Sequence, residues 1–317
     1  MTVAVLLLVY AGCVGTLGDR VLARARWTAR APLLGIITYL AAEWSVLAAL
    51  GLAGLTLAVH ATALGGGLSQ LIGACVRRLR ALYATPGGAT VAELGLILAG
   101  TVVARTVLTA VAHLRAAGRQ ALRHAQTARL AGHLEPALGA VVLEHPQPAA
   151  YCVAGRCPTV VVTTGAMAAL DSGQLDAVLA HERAHLADHH HALTAAARIG
   201  RQVLPFLPLL RAAEAEVARL AELHADDAAI GAADSEALAT ALVVLATPTQ
   251  AAPATALAAA ATEAVQRIHR LLGPTEPLGR LHRHLLRAAA AALALAPLLL
   301  ALTPAVVALA LGRIPAA

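Results

Sequence analysis

The sequence predicts a mainly α protein: several membrane-crossing helices, with a small α+β domain set between the third and the last of them. Three observations carry this. Hydrophobic residues make up 59% of the chain while charged residues make up 13%, about half the charge of an ordinary soluble domain. Four long apolar runs alternate with arginine clusters. Between the third and fourth runs lies a stretch whose pattern changes to short β-branched segments and amphipathic helices, and this stretch holds most of the residues able to do chemistry.

The runs fall in order. Thr2–Gly18 is apolar, with no positive charge ahead of it and Arg20, Arg24, Arg26 and Arg30 behind it. A cleaved leader has its charge first, so this run reads as a membrane anchor with its N-terminus outside. Leu33–His60 and Val91–Leu114 are each long enough to span. Arg115, Arg119, Arg123 and Arg129 follow the third run. Ala288–Leu311 is the fourth, preceded by Arg280, Arg283 and Arg287. Arginine on the inner side then places residues 1–114 as a three-span membrane region, 115–285 as a cytosolic domain of a multi-pass cell-membrane protein, and 286–317 as a last span. Arg77, Arg78 and Arg80 fall on the outer side and run against the rule. Residues 61–76, with Gly65-Gly66-Gly67, suit a surface or re-entrant segment. Glu43 and Arg105 lie inside spans, where ionisable groups face a partner or a cavity. Pairing with each other and separate snorkelling to the interface are both open.

The net charge of +6 does not indicate nucleic acid. The aromatic residues number two Trp, four Tyr and one Phe, too few for stacking, and the arginines cluster beside apolar runs. Direct nucleic-acid binding is therefore not expected; the lipid bilayer is. The four cysteines, Cys13, Cys75, Cys152 and Cys157, contain no paired CxxC sets, which argues against a Cys-type zinc site. A Cys152–Cys157 disulfide is not expected on the cytosolic side.

Within the cytosolic stretch, Ala140–Leu143 and Thr159–Thr164 read as strands. An exposed edge on the second could hold an extended peptide, and an ordinary interior strand fits as well. Asp171 or Ser172 caps the helix that follows, and that helix is expected to run Leu175–His191. It carries His181-Glu182-Arg183-Ala184-His185. Histidines four apart share a helical face and can reach one metal ion, with Glu182 beside them to take a proton from a water at the metal and pass it to a leaving amine.

A catalytic zinc needs a third protein ligand and an open position. His191 sits at the spacing of the HExxHxxGxxH pattern, but Asp188 stands where that pattern has glycine, and no Met-turn follows. His189 would have to converge from the same straight helix. His189, His190 and His191 suit exposed positions that favour the helix C-terminus. Glu222 is the third candidate, on a helical stretch over Glu214–Ile230. Asp226 lies one turn along the same face, able to fix a ligand histidine's tautomer from behind. His224 points away from that face. The apolar interval 192–221, broken by Pro205 and Pro208, is too short for a clear span. It is expected at the bilayer surface or against the spans, which brings the site close to the membrane.

The run Ala177–His185 followed by Glu222-Leu223-His224-Ala225-Asp226 resembles the M56 membrane metallopeptidases of the antibiotic-sensor type. It is also similar to the related M48 peptidases, which share HExxH followed by ExxxD. Tyr151–Gly155 and Val160–Gly165 resemble the M56 segment upstream of the motif. The resemblance implies a gluzincin-like HExxH zinc peptidase domain. His181, His185 and Glu222 would be the Zn2+ ligands, Glu182 the general base and Asp226 a support behind them. It implies an integral-membrane endopeptidase acting on a protein substrate such as a cytosolic transcriptional repressor. Membrane-protein quality control of the M48 kind is the alternative. With Ala317 close behind the last span, the penicillin-binding sensor of the antibiotic-sensing members is not expected. A silent sensor or scaffold and a zinc transporter are the contrasting readings. The intact His181, Glu182, His185 and Glu222 argue against the first. Histidines scattered through polar stretches rather than spans argue against the second. The oxyanion donor has only His224 and His269 as weak candidates.

Overall fold

In the computed structural model, residues 2–58, 88–155, 157–231, 234–246, 254–273 and 277–310 are described. Cys75, Arg77, Arg78, Arg80 and the glycine-rich run 61–76 lie outside them.

Four of the described helices are long and apolar enough to cross a membrane. They are α1 (Thr2–Ala23), α3 (Pro32–Ala58), α4 (Gly88–Ala131) and α11 (Arg280–Ala310), with the short α2 (Trp27–Arg30) between the first two. Helix α3 is central, packed by α1, α4 and α11. Gly54 of α3 and Gly95 of α4 face each other so closely that a Cβ on either would strike the other's backbone carbonyl. Small residues at a crossing let two spans approach in this way.

Two span boundaries differ from the sequence reading. Helix α4 does not stop near Leu114 but continues to Ala131, so Arg115, Arg119, Arg123 and Arg129 ride on the same helix rather than in a loop. The fourth span likewise starts at Arg280, with its arginines on the first turns. Arginine is a good helix former, so a change from apolar to basic composition moves a helix out of lipid without ending it.

The mixed sheet follows: β1 (Gly132–Glu135), β2 (Ala140–Leu143), β3 (Ala150–Val153) and β4 (Thr159–Thr163), in the order β1-β2-β4-β3. β2 and β4 pair in parallel, Val142 opposite Val162, and β3 runs antiparallel to β4, Tyr151 opposite Val161. All five residues of β4 are buried. The Thr159–Thr164 segment is therefore an interior strand, and the edge beside the chemistry is β3.

Thr163 caps α5 (Thr164–Ala169) by accepting from Ala166 N. Asp171 caps α6 (Ser172–Ala187) in a capping box. It accepts from Gln174 N at 2.9 Å and its own N donates to Gln174 Oε1 at 3.1 Å. The motif helix ends earlier than the spacing suggests. Asp188 is its C-cap and His189 is left-handed, with φ 53°, before α7 (His190–Val203) sets off in a new direction. A non-glycine residue there costs about 1–2 kcal/mol; the return is the burial of His190 described below.

Helices α7 and α8 (Pro208–Ile230) form a hairpin that packs against the spans. Leu207 seats on Gly15, Leu209 on Gly18 and Leu220 on Gly35. One apolar core joins Leu7, Ile36 and Val46 of the spans to Val203, Leu210 and Val217 of the hairpin. The interval 192–221 therefore does lie against the spans. Of the two readings left open for Glu43 and Arg105, pairing with each other is not made. Arg105 Nη2 donates to the Gln202 carbonyl at 2.9 Å, while Glu43 is buried against Gly200 of α7. Both residues thus meet the hairpin instead of each other. Helices α9 (Ser235–Ala246) and α10 (Ala254–Leu272) cover the other side of α6 and α8.

Candidate metal centre

Helices α6 and α8 cross so that His181, His185 and Glu222 converge. His181 Nε2 and His185 Nε2 are 3.1 Å apart. Glu222 reaches the first at 3.5 Å and the second at 3.4 Å. Ligands about 2.0–2.1 Å from a tetrahedral zinc stand about 3.3 Å from one another, so this spacing fits the ion. The histidines are buried and Glu222 is partly exposed, leaving one side open. That side is a cleft of about 300 Å³ with Glu182, Tyr151, Cys152, His191 and Thr194 on its walls. His191 lines the cleft but does not join the converging trio. A second cavity, of about 950 Å³ near Arg129 and Arg183, is lined by none of His181, Glu182, His185 and Glu222 and is not the chemical site.

Each group is held from behind. Asp226, fully buried, places Oδ1 3.1 Å from His181 Nδ1. Arg267 of α10 grips both oxygens of Asp226, Nη2 to Oδ1 at 2.6 Å and Nε to Oδ2 at 2.8 Å. It also donates Nη1 to Glu222 Oε2 at 2.9 Å. His190 backs the second histidine, with the two Nδ1 atoms 3.0 Å apart, and its own Nε2 lies 2.9 Å from His224 Nδ1.

The electrostatics follow from these contacts. Burial works against charge on His181, but the hydrogen bonds to Asp226 and Glu222 outweigh it and hold its imidazole up at about 9 without metal. Burial lowers His185 and keeps it neutral. Burial raises the Glu182 carboxyl above its ordinary range, with His181 pulling the other way. Such a shift moves a carboxylate toward the range of a working base. The Cys152 thiol, half-buried and facing Glu182, is pushed up to about 12 by its partial burial and stays protonated. Asp226 and Glu222 remain ionised. Burial would raise both, but for Asp226 the His181 and Arg267 hydrogen bonds outweigh it. For Glu222 the His181 hydrogen bond and then the Arg267 charge do so.

The residues read from the sequence as a candidate site, His181, Glu182, His185, Glu222 and Asp226, are thus brought together. Two readings are corrected. His190 is not an exposed helix-end residue but 2% exposed, because the left-handed His189 turns it inward. His224 is not idle: it contacts His190 and lies 3.5 Å from Asp188 Oδ2. Neither His224 nor His269 lines the cleft. Arg267 was not picked out by the sequence, and Tyr151 and Cys152 were noted there only in the upstream segment, not as cleft residues. Arg267 lies 41 residues beyond Asp226 with no local pattern to mark it. Cys152 and Cys157 are free thiols.

Two histidines one turn apart, a carboxylate from a crossing helix and a half-buried glutamate beside them form the arrangement of a metallopeptidase centre. The model of Peptidase family M48 matches residues 114–275. That match covers more than half of the chain, and the chain belongs to this peptidase family. M48 peptidases are typically zinc-dependent, and the His/Glu trio is a group able to bind the ion. No curated protein and no solved structure matches the chain.

Proposed function

We propose that the chain is an integral-membrane zinc endopeptidase in which His181, His185 and Glu222 hold the metal and Glu182 is the general base. The observation that carries this is the convergence of the three ligand atoms, from two helices, on a cleft that Glu182 also lines. When bound there, zinc supplies Lewis acidity and brings a water's pKa toward neutrality. The remaining steps belong to the protein. Glu182, its carboxyl raised by burial, takes the water's proton and returns it to the leaving amine. Asp226, with Oδ1 3.1 Å from His181 Nδ1, is placed to fix the ring's orientation and keep Nε2 as the ligand atom. Arg267 keeps Asp226 and Glu222 ionised and in place.

The open edge of β3 supports binding of an extended peptide by main-chain hydrogen bonds. Beside it runs a groove of about 650 Å³ whose far wall is α4, from Leu114 to His124. A membrane-span extension would thus form one side of the substrate track. In this reading residues 1–114 anchor the chain, 115–285 form the peptidase domain on the cytosolic side, and 286–317 close the membrane region. Substrates are protein segments near that membrane face. Membership in M48 favours turnover of membrane-associated proteins. Cleavage of a soluble repressor, the role suggested by the M56 resemblance, would use the same residues.

Metal content tests the ligand set. Purified His181→Ala, His185→Ala and Glu222→Ala are expected to lose bound zinc, and His191→Ala to keep it. Full zinc in Glu222→Ala together with loss in His191→Ala would replace Glu222 by His191 as the third ligand.

A further inference from the structure

Asp188, His190 and His224 form a second cluster that shares no ligand with the candidate centre, although His190 lines the same cleft and touches His185. One ligand atom from each lies within 4.8 Å of the others. His190 Nε2 and His224 Nδ1 are 2.9 Å apart, and His224 Nδ1 is 3.5 Å from Asp188 Oδ2. These two separations lie near the 3.1–3.5 Å of the first trio. The chemistry is the same as well: two imidazoles and one carboxylate, the donor set of zinc and other borderline divalent ions. His190 is buried, while Asp188 is 40% exposed and gives an ion a way in from water.

The local backbone builds this trio. Asp188 caps α6, and the left-handed His189 sends His190 back under the helix it has just left. A straight helix would place His190 on another face.

We propose that Asp188, His190 and His224 form a second divalent-metal site whose occupation opposes occupation of the first. The opposition follows from counting protons. A neutral imidazole that binds metal through Nε2 carries its proton on Nδ1. With metal on His185 Nε2, the proton between the facing Nδ1 atoms belongs to His185, and His190 accepts it. His190 Nε2 then carries a proton and donates to His224. Metal on His190 Nε2 requires the reverse: His190 Nδ1 holds the proton and His185 must accept it. One contact of 3.0 Å holds one such proton, so each site fits the contact in only one sense. Filling both breaks it and loosens the orientation of His185. Zinc in excess would therefore inhibit.

The test is metal stoichiometry on the full chain in detergent, stripped and titrated with Zn2+, then with Co2+ for its absorption spectrum. The wild type is expected to bind two equivalents, the second at least tenfold more weakly, with the cobalt bands of the first shifting as the second fills. Asp188→Ala and His224→Ala are expected to bind one equivalent with an unshifted spectrum. Asp188→Asn, which keeps the side-chain shape and removes the charge, serves if Asp188→Ala fails to fold. One equivalent in the wild type, or a second that survives both substitutions, overturns the proposal. This readout needs no cleavage, so it stands or falls apart from the peptidase reading. Where cleavage is measurable, excess zinc should inhibit the wild type and spare Asp188→Ala.

Discussion

Arg267 and Asp226 form a two-point ion pair beneath His181, with contacts of 2.6 and 2.8 Å, across 41 residues of sequence. The pair is buried, and Arg267 has a third contact to Glu222. Removing one partner of such a pair leaves a charge without compensation and costs about 3–5 kcal/mol. Arg267→Ala is therefore expected to lower stability by that order, read as a fall in the thermal midpoint of the metal-free protein. Arg267→Lys recovers only part of it, since an ammonium cannot span both Asp226 oxygens.

Asp226→Asn acts on the metal more than on the fold. The amide keeps the shape and a donor–acceptor pair but loses the charge behind His181. A roughly 10–100-fold drop in zinc affinity is expected, as for other groups that orient a ligand histidine. Competition with a chelator measures it. Unchanged affinity would remove Asp226 from the account.

The pH dependence of metal binding has a definite sign. Without metal, His181 is raised from 6.5 to about 9, so the proton it holds stabilises the metal-free fold. That contribution is fully present below about 6.5 and is lost as pH rises through about 9. Metal must displace this proton. His185 is kept neutral and both carboxylates ionised, so only one proton is released. Apparent zinc affinity should then rise about tenfold per pH unit toward about 9 and flatten above it. A slope of two protons, or none, contradicts this.

Gly200 packs its Cα against the Glu43 carboxyl, where an added methyl has no room. Gly200→Ala is expected to destabilise the hairpin against the spans by about 1–3 kcal/mol, the usual cost of overpacking. Glu43→Ala should relieve part of it. A double-mutant cycle followed by thermal unfolding in detergent measures the coupling. Strict additivity would mean that the two residues do not meet.

Much of this was legible in the sequence because the signals are local. Spans read from runs of apolar residues, β2 read to the residue, and Asp171 was one of the two caps offered for the motif helix α6. His181, Glu182 and His185 stand out by their spacing on one helix, and Glu222 was one of three candidates that the family resemblance singled out; the structure brings these four together. What was not legible depends on chain direction or on distant contacts. Nothing in Asp188-His189-His190 marks the left-handed turn, because it forms to bury His190 against residues 34 positions away. The edge strand β3 is four residues of weak alternation, placed by pairing with β4. Arg267 is one arginine among many until α10 folds back over α8. The continuation of α4 past Leu114 was hidden by reading a change of composition as a change of structure.

The most direct test of the peptidase reading is cleavage by membranes carrying wild type or Glu182→Gln, with bound zinc measured in both. The amide keeps the size of Glu182 but cannot take a proton from water. Wild-type membranes are expected to cleave co-expressed membrane-associated substrates, Glu182→Gln to lose this by several orders of magnitude, and both proteins to hold equal zinc. Cleavage that persists in Glu182→Gln, or a wild type without zinc, would contradict that reading.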